Sequence, residues 1–296
     1  MSRFKSAATY QIIVPNEGSG GGSTTVDIDP SSLPYASHVS LDGTGSPNIV
    51  RRTQSYANAH GAVDRGYHID AREMAWNLYL FPPYGSDEGD LQAARMYLAE
   101  MLKPSRTPYK LKVTRADSAV RQIDFHISGA VDFPQSRQIG LAQPVTIPIY
   151  CPNPAWYDPT QKSVALAMSG SEETESAGYL GNSIDYPIIE FGADLVSPYV
   201  YINRYDSETY TCKVDLFGYT VPTGDKAIID IAARTAVLET AGTDIRDEIF
   251  NDDWIIGYMG PRYYAESAAS TTPVVAGNYA GSGTITVRWY DRYHNL

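Results

Sequence analysis

Seven separate stretches of this 296-residue chain alternate apolar and polar residues with a period of two, and one stretch alone carries the 3.6-residue period of a helix. That imbalance restricts the fold more than any other feature. Alternation sends successive side chains to opposite faces of a strand, so one face can bury while the other meets water. It is the pattern of antiparallel sheets. Tyr10, Ile12 and Val14 form the first set. Trp76, Leu78 and Leu80 form the next, followed by Tyr109, Leu111 and Val113, by Ile123, Phe125 and Ile127, and by Val145, Ile147 and Ile149. The second half supplies Tyr210, Cys212, Val214 and Leu216, and finally Ile285, Val287 and Trp289. The 23 tyrosines, with frequent Thr, Val and Ile, fit the residue preferences of strands.

The helical stretch places Leu91, Ala94, Leu98, Met101 and Leu102 on one stripe. Ser86 or Asp87 can cap it, and Asp87, Glu88 and Asp90 put negative charge at its positive end. Pro104 stops it. A single helix among strands covers one face or edge of a sheet. Without regular strand–helix alternation, a βαβ fold is excluded. Three segments read as irregular: Glu17 to Ser23 with its four glycines, Leu41 to Asn48, and Tyr264 to Gly283 as a long loop before the last strand.

The run CPNPAWYDP, 151–159, holds three prolines in nine residues directly after a strand, which reads as a stiff linker. The charge changes at the same place. Residues 1–155 hold 14 basic and 14 acidic side chains, and residues 156–296 hold 9 and 20, so the whole net charge of −11 lies in the second part. Two domains are expected, 1–155 and 156–296. The acidic excess repels phosphate backbones, so no specific nucleic-acid binding is expected. No stretch approaches the roughly 18 consecutive apolar residues of a membrane helix, so no membrane insertion is expected. Ile12 to Val14 is too short an apolar patch for a secretion signal.

Residues that could carry chemistry are sparse. His60, Asp64 and His68 would share a helix face and could ligate a metal, but Gly61 and Gly66 interrupt, and the segment reads as a turn leading into a strand. Asn251, Asp252, Asp253 and Trp254, and the acids of 172–175, offer carboxylates of the kind a glycosidase needs in pairs. Adjacent acids in polar runs read instead as solvated loops. There is no GxSxG, HExxH or CxxC context, no phosphate-binding loop and no dinucleotide fingerprint. Cys151 and Cys212 read as buried small apolar residues. No catalytic, cofactor-binding or metal-binding residue is assigned, and the chain is expected to be non-enzymatic with no cofactor. Trp156, Tyr157, Trp254, Tyr258, Tyr263, Tyr264, Trp289, Tyr290 and Tyr293 crowd the second half. Each has an apolar body and a polar tip, so core or interface packing is the first reading and sugar stacking the second.

In their order along the chain, several segments resemble the distal tail proteins of long-tailed bacteriophages. PNPAWYDPT (152–160) resembles that family's inter-domain junction. GNSIDYPIIEFGADLVSPYVYINR (181–204) is similar to the entry into its second domain, GDKAIIDIAARTAVLE (224–239) to its next hairpin, and GTITVRWYDRY (283–293) to its closing strand. In the first half, HGAVDRGYHIDAREMAWNLYL precedes the helix DLQAARMYLAEMLKP and a strand hairpin in the same order. The Gly-rich insertion 17–48 departs from the pattern and is expected to order on the ring or tube.

The resemblance implies a mainly β protein with an N-terminal belt domain of antiparallel strands and one helix, 1–155, and a C-terminal galectin-like β-sandwich, 156–296. It implies a structural role in the virion, at the distal end of the tail, for a protein made in the host cytoplasm. Belts would close into a hexameric ring joining the tail tube protein to the hub or tip protein and to receptor-binding proteins. A neutral belt suits close packing around a ring, and sheet edges suit subunit pairing. The alternatives are a carbohydrate-binding module or lectin-like host-adhesion protein, and a glycan-cleaving tail enzyme for which no carboxylate pair is located.

Overall fold

A strand with one apolar face must find a second layer, and this chain builds two such cores. The computed structural model describes residues 8–16, 22–54, 63–82, 87–134, 142–202, 212–250 and 272–296. The chain divides into two compact units, Met1–Trp156 with His294–Leu296, and Tyr157–Tyr293. The fold is mainly β, and every strand pair named below is antiparallel.

The first unit contains β1 (Thr9–Pro15), β2 (Ser23–Asp27), β3 (Ala36–Asp42), β4 (Ile49–Gln54), β5 (Val63–Ile69), β6 (Arg72–Leu80), α1 (Glu88–Met101), β7 (Tyr109–Thr114), β8 (Val120–Ile127) and β9 (Gln143–Cys151). Seven strands lie in the order β2-β1-β7-β8-β9-β6-β3. β6 alternates strictly, with Met74, Trp76, Leu78 and Leu80 buried. Its partner β9 sets Ile147 opposite Trp76 and Val145 opposite Leu78. Tyr109 and Phe125, paired across β7 and β8, bring their rings to 5.5 Å. Each large side chain buried in this way stabilises the fold by about 1.5–3 kcal/mol.

Asp87 rather than Ser86 provides the helix cap. Its carboxylate accepts from the Asp90 amide at 3.1 Å, and the Asp90 carboxylate accepts in return from the Asp87 amide. Ser86 lies outside the described residues. The expected stripe is the buried one, with Leu91, Ala94, Leu98 and Met101 inward and Leu102 buried at the C-terminal cap.

Four segments differ from the sequence reading. The expected turn before β6 contains β5, which pairs with β4 in a separate two-stranded ribbon. β4 is exposed along most of its length, so it prints no apolar face for alternation to reveal. Leu41 and Asp42 close β3, and the chain turns only at Gly43, whose φ of +89° favours glycine. Segment 151–157 is packed rather than a free spacer, with Cys151, Ala155, Trp156 and Tyr157 buried and Trp156–Tyr157 forming the short strand β10. Ser23 begins β2, while the glycine-rich residues 17–21 lie outside the described residues.

The second unit is a β-sandwich. Its strands are β11 (Lys162–Met168), β12 (Glu173–Ala177), β13 (Ile188–Phe191), β14 (Tyr199–Ile202), β15 (Cys212–Asp215), β16 (Ala227–Asp230), β17 (Thr235–Leu238), β18 (Thr272–Gly277), β19 (Gly283–Trp289) and β20 (Arg292–Tyr293). One sheet runs β11-β19-β13-β16-β17 and the other β12-β18-β14-β15. Leu166, Phe191, Ile229 and Val287 from the first sheet meet Val200, Ile202, Val214 and Val274 from the second in one continuous core. The expected loop 264–283 is corrected here: β18 is an inner strand of the second sheet, with Val274 and Ala276 buried. Its small residues, set among Gly, Ala and Thr, give little amphipathic signal.

Two buried carboxylates in this unit are paired with cations. Asp185 and Asp291 are each 1% exposed. Asp185 accepts from the Tyr290 amide at 2.7 Å and from Arg292. Asp291 accepts from the Leu180 amide at 3.1 Å and pairs with Lys162. Such pairing offsets the desolvation cost of taking carboxylates out of water.

Candidate functional site

The side chains that could carry chemistry are dispersed or tied down. His60 lies outside the described residues, as do 251–254, Tyr258, Tyr263 and Tyr264. His68 is exposed on β5, and the Asp64 side chain is outside the description. Among the described residues no group of three or more His, Cys, Asp or Glu could hold a metal ion. Cys151 and Cys212 are buried, and desolvation pushes both thiols up to about 12, so neither forms a thiolate near neutral pH. The acids of 172–175 lie on and just before exposed β12. Trp156, Tyr157 and Trp289 are buried, while Tyr290 and Tyr293 are half-buried.

Surfaces are the remaining candidates. The seven-strand order of the first unit's sheet ends at β2 and β3. β2 exposes Ser23, Thr24, Thr25 and Asp27 and buries only Val26. β3 carries a register shift between His38 and Ser40, with Val39 exposed. Among the described residues neither strand has a partner on its outer side, so each presents backbone donors and acceptors that another chain can pair with.

The sheet curls far enough for β1 to meet β3, although four strands lie between them in the sheet order. Tyr10 stacks on His38 with ring centroids 3.8 Å apart and planes 19° from parallel. The indole N–H of Trp76 donates to His38 Nδ1 at 2.9 Å. That acceptor exists only on a neutral imidazole carrying its proton on Nε2. Burial lowers the pKa of His38 below its ordinary value of 6.5. The fold therefore favours neutral His38, and this stability is present above pH 6.5 and is lost as the pH falls below it. The expected loss is at most about 1.4 kcal/mol per pH unit for this one group. Urea unfolding at a series of pH values should give a shallower slope below pH 6.5 for His38→Asn, which keeps an acceptor and cannot titrate. Equal slopes for the two proteins would remove His38 as the cause.

A second device was hidden in the alternation of β6. Its first inward position holds Arg72, which is 3% exposed. Nε donates to the Pro154 carbonyl at 2.9 Å, Nη1 to those of Gly43 and Gly45 at 2.7 and 2.6 Å, and Nη2 to that of His294 at 2.7 Å. One guanidinium thus ties the turn after β3, the 151–155 segment and the returning C-terminal residues to β6. Burial pulls its pKa down from the ordinary arginine value. An arginine in phase with Met74, Trp76 and Leu78 was the available signal for a buried role.

No family model matches the sequence, and no curated protein matches it. Solved structures do. The fold is similar to that of SPP1 Dit (gp 19.1), described as a paradigm of the hub adsorption apparatus in phages infecting Gram-positive bacteria. The likeness covers 96% of this chain and 98% of that one, with a TM-score of 0.62 and 15% identity. A chain of the phage P2 baseplate in its activated conformation with Ca matches over 98% of this chain and 99% of its own, with a TM-score of 0.52 and 9% identity. The likeness in fold to SPP1 Dit and to the P2 baseplate chain thus extends over nearly the whole length of this chain.

Proposed function

We propose that this chain is a structural, non-enzymatic component of a phage tail tip or baseplate. In this reading residues 1–155 are a belt that closes with five other copies into a ring, and residues 156–296 are a galectin-like sandwich that projects from it. The ring joins the tail tube protein to the hub or tip protein and to receptor-binding proteins at the distal end of the virion tail. The protein is made in the host cytoplasm. The observation that carries this reading is end-to-end likeness: the match spans 96% of this chain and 98% of the SPP1 chain.

Charge supports the division of labour. Six neutral belts can pack closely without mutual repulsion. Six units of net charge −11 are tolerable only when spaced beyond the roughly 8 Å screening length of physiological salt, which favours an outward position. The outer edges of β2 and β3, without a partner strand among the described residues, offer backbone groups for subunit pairing. Sedimentation velocity tests the assignment. The full chain should sediment as a hexamer and a 157–293 fragment as a monomer. A hexameric fragment would reverse the roles of the two units.

A further inference from the structure

We infer that one end of the second unit is a protein-docking site, with Phe217 and Phe250 as its anchors and a basic amphipathic helix of another protein as the partner it fits. Phe217, Phe250 and Tyr279 are the most exposed large hydrophobic side chains among the described residues, at 68%, 70% and 84%. All three belong to the same end of the sandwich. Tyr199, the first residue of β14, faces Asp215, the last of β15, and Gly277, the last of β18. The Phe217 and Phe250 rings are neighbours, with centroids 5.6 Å apart and planes at 57°. Adjacent aromatic side chains left in water mark a contact surface rather than a core. The pair is held in shape before any partner arrives. The Tyr219 amide donates to the Leu216 carbonyl at 3.0 Å, closing a turn with Phe217 at its tip. Gly218 takes the φ of +84° that such a turn needs after its tip, and its amide donates to Ser197 Oγ at 2.9 Å. Phe250 follows buried Ile249, and its amide donates to the Asp215 carbonyl at 2.8 Å. Both rings therefore hang from the end of β15, and anchors fixed in advance lose less freedom on binding.

Charge selects the partner. Asp215, Asp247 and Glu248 stand two or three residues before the two rings. The cations beside them in sequence are engaged: Lys213 Nζ lies 5.6 Å from the Tyr201 ring centroid, and Arg246 Nε donates to Asp244 Oδ2 at 2.9 Å. The unit as a whole has 9 basic and 20 acidic residues, because Trp156 and 294–296 are uncharged. An apolar pair in an acidic surround is complemented by an apolar face flanked by Lys or Arg, the form of a basic amphipathic helix. The same field disfavours nucleic acid and anionic membrane surfaces. It also disfavours contact of this end with the same end of a second copy, which would set carboxylates against carboxylates. Nothing in this inference requires the tail-tip reading.

The test is a calorimetric titration of the full chain with a synthetic helix of leucine and lysine, its leucines on one face. Saturable binding is expected, and the same helix with glutamate in place of every lysine should not bind. Phe217→Ala and Phe250→Ala alter exposed side chains and leave the core intact. Each should weaken binding about tenfold, the scale of one lost aromatic anchor. Phe217→Leu keeps apolar bulk and should weaken it less. Absence of saturable binding would overturn the site. Affinity unchanged in Phe217→Ala would overturn it too, since the lysines would then read only the field of the acidic unit. Equal binding of the glutamate helix would overturn the assignment to a basic partner. Altered sedimentation of Phe217→Ala without any peptide would give the pair to a second copy of the chain, against this inference.

Discussion

Replacing Arg72 with alanine is expected to lower stability by about 5 kcal/mol, the scale seen when one partner is removed from a buried charged network. Four carbonyls, of Gly43, Gly45, Pro154 and His294, each lose a charge-assisted donor. Stranding each costs about 1–3 kcal/mol before local relaxation and water entry recover part of it. The loss is not confined to one element, because those carbonyls belong to three separate segments. Arg72→Lys should recover only part of it, since an ammonium cannot reproduce the planar fork that serves several acceptors at once. Guanidinium unfolding followed by circular dichroism measures both variants. A loss under about 1 kcal/mol in Arg72→Ala would mean that water replaces the guanidinium at little cost.

Leu98→Asp is expected to cost several kcal/mol, a large share of an ordinary domain stability of about 5–15 kcal/mol. Leu98 is fully buried at the centre of the α1 stripe, between Ala94 and Met101. The substitution removes an apolar side chain that a leucine-to-alanine change alone would price at about 2–5 kcal/mol. It also places a carboxylate there, which burial would force toward its protonated form. Leu98→Met, similar in volume, should cost less than about 1.5 kcal/mol. Thermal melting of the two variants decides the matter. Unchanged melting of Leu98→Asp would mean that this face of α1 meets water.

What could be read from the residues depended on whether an element buries one face. β6, β7, β9 and β19 carry strict alternation because one side of each lies in a core, and α1 carries its stripe for the same reason. β4 buries almost nothing and β18 is built from small residues, so neither left a periodic trace. The prolines of 151–159 looked like a spacer because their sequence is stiff, yet Trp156 and Tyr157 between them are buried, as two large aromatics in a run should have warned. His38 was illegible for another reason: its role depends on Trp76 on the neighbouring strand β6 and on Tyr10, which only the curl of the sheet brings to it. The edges β2 and β3 stayed hidden because a polar edge strand has little alternation to print.

The central claim is that this chain closes on itself into a ring through its first unit. Electron microscopy of the purified full-length protein in negative stain tests it most directly. The account predicts closed rings with sixfold symmetry, an even inner rim formed by residues 1–155 and six discrete outward lobes formed by 156–296. A field of separate particles of single-chain size at micromolar concentration, or rings whose inner rim is built by the acidic second unit, would contradict it.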